Sequence, residues 1–189
     1  MKKRILTACV LITAFAVPGC GPSFQPSASS LYVKQDGTLT QAVVESFEKE
    51  YYSLDEFRSM TEKEVGAYEK ISIERLEVKD GTMYLLLDYE DADTYSRYNE
   101  AYCFMGTVEE ALTAGHSFNM TFRDTEYEEY TTAEATAKKS DHVVILKEEG
   151  VVQLEKKVKY ASNNVDIITD SMVEVMPIED EEEYAYIIY

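Results

Sequence analysis

Cys103, His116 and His142 are the residues of this 189-residue chain whose types could support nucleophilic chemistry. A thiol attacks as its thiolate, which requires a neighbouring base or a positive field. The local sequence speaks against such a pairing. Cys103 lies in Ala101-Tyr102-Cys103-Phe104-Met105, an apolar setting that predicts a buried, inert thiol. His142 heads an apolar strand and is expected to be a hydrogen-bonded structural residue. His116 follows Gly115 at a helix end, where a positive imidazole would complement the helix C-terminus. Asp88, Glu90, Asp91 and Asp93 bunch between a strand and a helix start, and oxygen-rich clusters suit calcium. Their spacing is not that of an EF-hand loop, and helix capping with first-turn acids explains them more simply. The run Glu179-Asp180-Glu181-Glu182-Glu183, after Pro177, reads as a solvated turn. The chain contains no G-x-S-x-G, H-E-x-x-H, Walker or dinucleotide motif. With 36 acidic residues, carboxylate pairs at glycosidase spacing arise by chance. The expectation is a non-enzymatic protein with no metal and no cofactor.

Cys20 carries a different chemistry. It follows a basic start (Lys2, Lys3, Arg4), an apolar run from Ile5 to Val17 and the lead-in Val17-Pro18-Gly19. This arrangement resembles the signal peptide and lipobox of bacterial lipoproteins. The resemblance implies that residues 1–19 are removed and that Cys20 becomes a diacylglyceryl cysteine, further acylated with chains such as palmitate. It departs from the usual pattern at Val17, where Leu is common, and at Pro18, where a small residue is common. A competing site exists at Ala14-Phe15-Ala16, which fits ordinary signal peptidase and would release a soluble protein. The apolar run, about thirteen residues, is of signal length and too short to span a bilayer as a helix. Either cleavage implies export. With Cys9 removed and Cys20 lipidated, Cys103 has no intrachain partner.

Charge narrows the choice of partners. The net charge is −18, and loss of Lys2, Lys3 and Arg4 makes it more negative still. Such a domain repels nucleic acid and anionic headgroups, and its charge keeps it soluble. Fifteen Tyr, seven Phe and no Trp favour half-buried strand faces and adaptable contacts. Lack of Trp argues against the commonest sugar-stacking platform, although Tyr can serve there.

Behind Cys20, residues 20–30 read as a Pro/Ser linker, reaching at most ~35 Å. Residues 31–189 read as one extracytoplasmic domain. Asp36-Gly37 and Asp80-Gly81 predict two hairpins with two-residue turns of positive φ. The second places Leu76, Val78, Met83, Leu85, Leu87 and Tyr89 on one face, so its sheet is expected to be buried on one side. Ser53 with Glu56 starts a helix carrying Leu54, Phe57, Met60 or Thr61, Val65 and Tyr68. Asp91 or Asp93 caps a second, with Tyr95, Tyr98, Ala101 and Tyr102 along one stripe. Thr107 with Glu110 caps a third, ended by Gly115. Strands are expected where Phe118, Met120 and Phe122 alternate, over 142–147, around 152–160, as a hairpin over Asp170-Ser171, and at 184–189. Asp124–Asp141 fits either an edge ribbon or a helix. The fold class is α+β, a single domain of antiparallel hairpins with about eight or nine strands and two or three short helices.

The lipobox-like start, Val33-Lys34-Gln35-Asp36-Gly37-Thr38 and the Glu-rich helix after Ser53 together resemble small lipoproteins of Gram-positive, clostridial-type gut bacteria. This implies a location and a domain extent and brings no biochemical role. The expected protein is anchored on the extracytoplasmic face of the cell membrane. It acts there as a binding or interaction module for a protein or small ligand. The alternatives are a subunit of a cell-envelope assembly, marked by an exposed Tyr-rich sheet edge, or a surface hydrolase.

Overall fold

The computed structural model describes residues 24–48, 53–178 and 183–189. The expected signal segment (residues 1–19), Cys20 and Glu179–Glu182 lie outside the described residues. The strands are β1 (Ser30–Val33), β2 (Leu39–Ser46), β3 (Ile71–Lys79), β4 (Thr82–Tyr89), β5 (Cys103–Thr107), β6 (Phe122–Arg123), β7 (Glu129–Tyr130), β8 (His142–Leu146), β9 (Gly150–Leu154), β10 (Tyr160–Ser162), β11 (Val165–Thr169), β12 (Met172–Val175) and β13 (Ala185–Ile188). The helices are α1 (Leu54–Val65), α2 (Ala92–Asn99), α3 (Val108–Thr113) and α4 (Thr132–Ala135). The class is α+β, with more strands than the sequence pattern predicts: β5 lies where no strand is expected, the stretch around 152–160 divides into β9 and β10, and β6, β7 and α4 are too short to leave a periodic signature.

Two sheets form, in the orders β11-β12-β9-β1-β2-β4-β3 and β5-β8-β13-β10-β6-β7. Alternate residues of each strand point to opposite faces. Leu31, Val33, Leu39, Leu85 and Leu87 from the first sheet share one core with Val144, Leu146, Ala185 and Ile187 from the second. This buried layer lies between the sheets. The opposite parity of the second sheet (Val143, Ile145, Tyr186, Ile188) packs with Val108, Ala111, Phe118 and Phe122 in a second cluster. The opposite parity of the first sheet is not left to solvent: Tyr32, Ala42 and Leu86 are buried there by Phe24. The expectation of a first sheet covered on one side is therefore corrected. Phe24 stacks on Tyr32 at 4.9 Å, so the segment read as linker contributes to the core.

Turn chemistry explains where the two Asp-Gly hairpins differ. Asp80 (φ 51) and Gly81 (φ 76) both take positive φ, the two-residue turn expected. At the first hairpin only Gly37 does so (φ 90). There the Asp36 carboxylate accepts from Thr38 N at 3.0 Å and Thr38 Oγ1 at 2.7 Å, and Lys34 N donates to Thr38 O at 3.0 Å. The side chain closes a longer turn that pattern alone cannot foresee.

Capping residues act as read. Ser53 accepts from Glu56 N, Asp91 from Thr94 N, and Thr107 and Glu110 form a reciprocal capping box. Between the alternatives in α1, Thr61 is buried whereas Met60 is 69% exposed. The α2 stripe stops early: Glu100 turns left-handed (φ 53), which places Ala101 and Tyr102 beyond the helix. Phe118 and Met120 are not in a strand, since Phe118 has φ 51. Asp124–Asp141 contains the second strand of a short ribbon, β7, and the helix α4; the turn from β6 to β7 is closed by Asp124, which accepts from Glu126 N, Glu128 N and the Tyr130 hydroxyl.

Sheet edges present unpaired backbone groups and invite foreign strands. Three edges here carry side-chain plugs. The Ser96 hydroxyl both accepts from Cys103 N (2.9 Å) and donates to Cys103 O (3.1 Å) on β5. Arg58 donates to Leu76 O on β3 at 2.7 Å, and the Tyr127 hydroxyl donates to Ile167 O on β11 at 2.8 Å. Much of the tyrosine content is likewise structural: Tyr89 meets Tyr95 at 5.2 Å and Tyr98 at 5.9 Å.

Candidate functional site

Strand parity decides the fate of Cys103. Adjacent residues on β5 point to opposite faces, so Tyr102 reaches the outer face of the second sheet while Cys103 enters the inter-sheet core. His116 packs on the outer face against Phe104 and Tyr102 and cannot meet the thiol. His142 pairs with Thr107 and Cys103 with Leu146, which separates them by about 13 Å along the strands. Burial, with the Glu148 carboxylate second, pushes the Cys103 thiol up to about 12. The His142 ring stacks on Tyr189 at 5.8 Å and the residue is exposed, unlike a buried core histidine.

The acids between β4 and α2 diverge to separate partners. Asp88 accepts from Lys34 at 3.0 Å and from the Thr40 hydroxyl. Asp91 caps α2 and accepts from Lys70 at 2.6 Å; that ion pair, followed by Thr94, holds its carboxyl down at about 2. Asp93 pairs with Arg97 at 3.3 Å. A cleft of about 210 Å³ lies between Lys34, Lys70, Asp88 and Glu90. Among the described residues, no group of three or more His, Cys, Asp or Glu is placed to hold a metal ion.

The larger concavity, about 650 Å³, lies on the outer face of the second sheet. Tyr102, His116, Tyr184 and Tyr186 back it, and Ser117, Asn119, Thr121, Asn163 and Glu183 line its polar parts. Its geometry follows from the end of α3. His116 N donates to Ala111 O (3.0 Å) and Gly115 N to Leu112 O (3.1 Å), with Gly115 at φ 99, a Schellman closure that turns the chain sharply. The His116 ring thereby lands among aromatic rings, 5.4 Å from Phe104 and 5.4 Å from Tyr184, with Nε2 2.8 Å from the Tyr102 hydroxyl. Burial lowers its pKa, which favours the neutral ring over the positive imidazole expected at a helix end.

The far wall is equally fixed. Asn164 Nδ2 donates to Glu183 Oε1 (3.2 Å) and Tyr184 O (3.1 Å), and Ser162 Oγ donates to Asn164 Oδ1 at 2.6 Å. Lys147 Nζ lies 4.7 Å over the Tyr184 ring. Of these residues the sequence offers His116 as a chemical candidate, Tyr102 as part of a helical stripe and Glu183 as the end of an acidic run. The groove draws on stretches far apart in the chain, and no spacing links them.

Glu148, between β8 and β9, has no distinguishing signal in the sequence. It accepts from the Tyr95 hydroxyl at 2.9 Å, and its pKa is raised by burial, against the opposing effect of that bond. A raised carboxyl favours folding below its unfolded value, about 4.3, and this contribution is lost as pH rises through the folded value. Glu148→Gln keeps an acceptor for Tyr95 without the charge. The variant is expected to be more stable than the parent at pH 8, with the gap closing towards pH 4, in urea melts across that range. A gap independent of pH would refute the assignment.

The fold and site thus define a two-sheet α+β domain with one aromatic-backed polar groove. No protein-family model, curated protein or solved structure matches the chain. Among the described residues no helix is long and apolar enough to cross a membrane.

Proposed function

We propose that this protein is a lipoprotein anchored through Cys20 on the extracytoplasmic face of the cell membrane, and that its domain is a non-enzymatic binding module with the groove at His116 as its ligand site. The groove carries the reading: its volume falls in the range of small-ligand sites, and its aromatic backing and polar rim are held by hydrogen bonds. Among the described residues its lining includes no Lys or Arg, and the carboxylate there is Glu183. An anionic ligand would meet that carboxylate, while Lys147 lies over the Tyr184 ring. A short neutral oligosaccharide fits best, with its apolar face on tyrosine and its hydroxyls on Ser117, Asn119, Thr121 and Asn163. The alternative of an assembly subunit joined by strand addition is weaker, because Ser96, Arg58 and Tyr127 occupy edge backbone groups.

Titration with a panel of neutral oligosaccharides, followed by tyrosine fluorescence, tests the site. Saturable binding is expected, with His116→Ala weakening it roughly tenfold, the equivalent of one lost hydrogen bond and ring contact. Absence of any response at millimolar sugar would sink the ligand assignment. Fatty-acid labelling that persists in Cys20→Ser would sink the anchor.

A further inference from the structure

We infer that the outer face of the first sheet, around Phe24 and Tyr32, lies against the lipid surface, so that the groove opens away from the membrane; this rests on the Cys20 anchor proposed above. Among the described residues, packing begins at Phe24, which is 8% exposed and stacks on Tyr32. Only Gly21, Pro22 and Ser23 separate it from Cys20. Four Cα steps reach at most about 15 Å. A domain of this size is roughly 40 Å across, so a tether this short keeps the face bearing Phe24 next to the headgroups.

Which face that is follows from register. Tyr32 pairs with Thr40, and Ala42 with Leu86, so these side chains share the outer side of the first sheet with Phe24. The groove residues Tyr102, Tyr184 and Tyr186 belong to the outer side of the second sheet. Both sheets and the core between them therefore stand between tether and groove.

Charge is arranged to match. In a chain of net charge −18, the outward positions of β9, β1, β2 and β4 carry Asp88 as their one charged side chain, and Lys34 pairs with it at 3.0 Å. Glu155, just past β9, adds a carboxylate near Tyr32, where it accepts from Gln35 N at 2.7 Å. Flanking strands resume charge at Arg75 and Glu77 on one side and Glu174 on the other. A sparsely charged centre lowers the repulsion that an acidic face would feel against anionic lipid. The tether supplies the attachment, and the face permits close approach.

Fluorophores on Ser27→Cys or Ser46→Cys, against Leu112→Cys or Ala114→Cys, test this in the membrane-anchored protein. Cys20 is consumed by lipid, and Cys103 is shielded by burial. With headgroup-nitroxide lipids, quenching at positions 27 and 46 is expected to exceed that at 112 and 114 severalfold. Inserting about twenty Gly and Ser residues after Gly21, reaching ~25 Å, should erase the contrast while the protein stays in the membrane. Equal quenching at all four positions of membrane-retained protein would overturn the orientation and leave the anchor standing. Protein absent from the membrane fraction would overturn both.

Discussion

Phe118→Ala is expected to destabilise the domain by about 3–5 kcal/mol, a large share of the 5–15 kcal/mol typical of a domain. The ring is 0% exposed, lies 4.6 Å from Tyr186 and 6.4 Å from Phe122, and forms the underside of the groove. Its backbone is tied as firmly: the carbonyl accepts from the Thr132 hydroxyl and from Met120 N (2.8 Å). Because Phe118 sits at φ 51, alanine inherits the left-handed strain as well as the cavity. Phe118→Gly relieves that strain and should recover about 1 kcal/mol relative to alanine, even though it removes one more carbon. Urea midpoints of the two variants check the order. Alanine costing under about 1 kcal/mol would mean that the ring does not pack as described. Both variants should also lose the groove's ligand response, since Tyr186 rests on this ring.

A protein that begins at Leu31 is expected to be at least about 3 kcal/mol less stable than one that begins at Phe24, by analogy with loss of a buried Phe. The shorter chain loses the Phe24 ring and uncovers Tyr32, Ala42 and Leu86. It also loses Ser29, whose hydroxyl accepts from Val44 N at 2.9 Å and donates to Val44 O at 3.3 Å. Most of the penalty should reappear in Phe24→Ala alone. Thermal or urea unfolding of the three chains makes the comparison. Equal stability of the chains starting at Leu31 and Phe24 would remove the packed N-terminal segment, and with it the short tether.

Local signals were legible wherever one residue and its near neighbours suffice. Ser53, Asp91 and Thr107 cap helices because a side-chain oxygen reaches a backbone N–H two or three residues on. Asp80-Gly81 turns tightly because both residues take positive φ, and the alternation Met83, Leu85, Leu87, Tyr89 faces the core as read. Failures came where a distant partner decided the outcome. Phe24 looked like linker because its burial depends on Tyr32 and Leu86, far along the chain. Phe118, Met120 and Phe122 alternate like a strand, yet Phe118 is held out of strand geometry by its contacts with Thr132 and Tyr186. Leu86 fell on the face assigned to solvent because nothing local announces what covers a sheet.

The capped helices, the Asp-Gly turns, the acidic character and the apolar neighbourhood of Cys103 follow from the sequence alone, since each is set by short-range chemistry or composition. Only the tertiary structure decided that Tyr102 and Cys103 part to opposite faces of β5, that His116 sits among tyrosines where burial favours its neutral ring, and that Phe24 closes the first sheet. The physical reason is the same in each case. Burial and encounter depend on which strands pair and which faces meet, and those pairings join residues too far apart in the chain for any spacing to record.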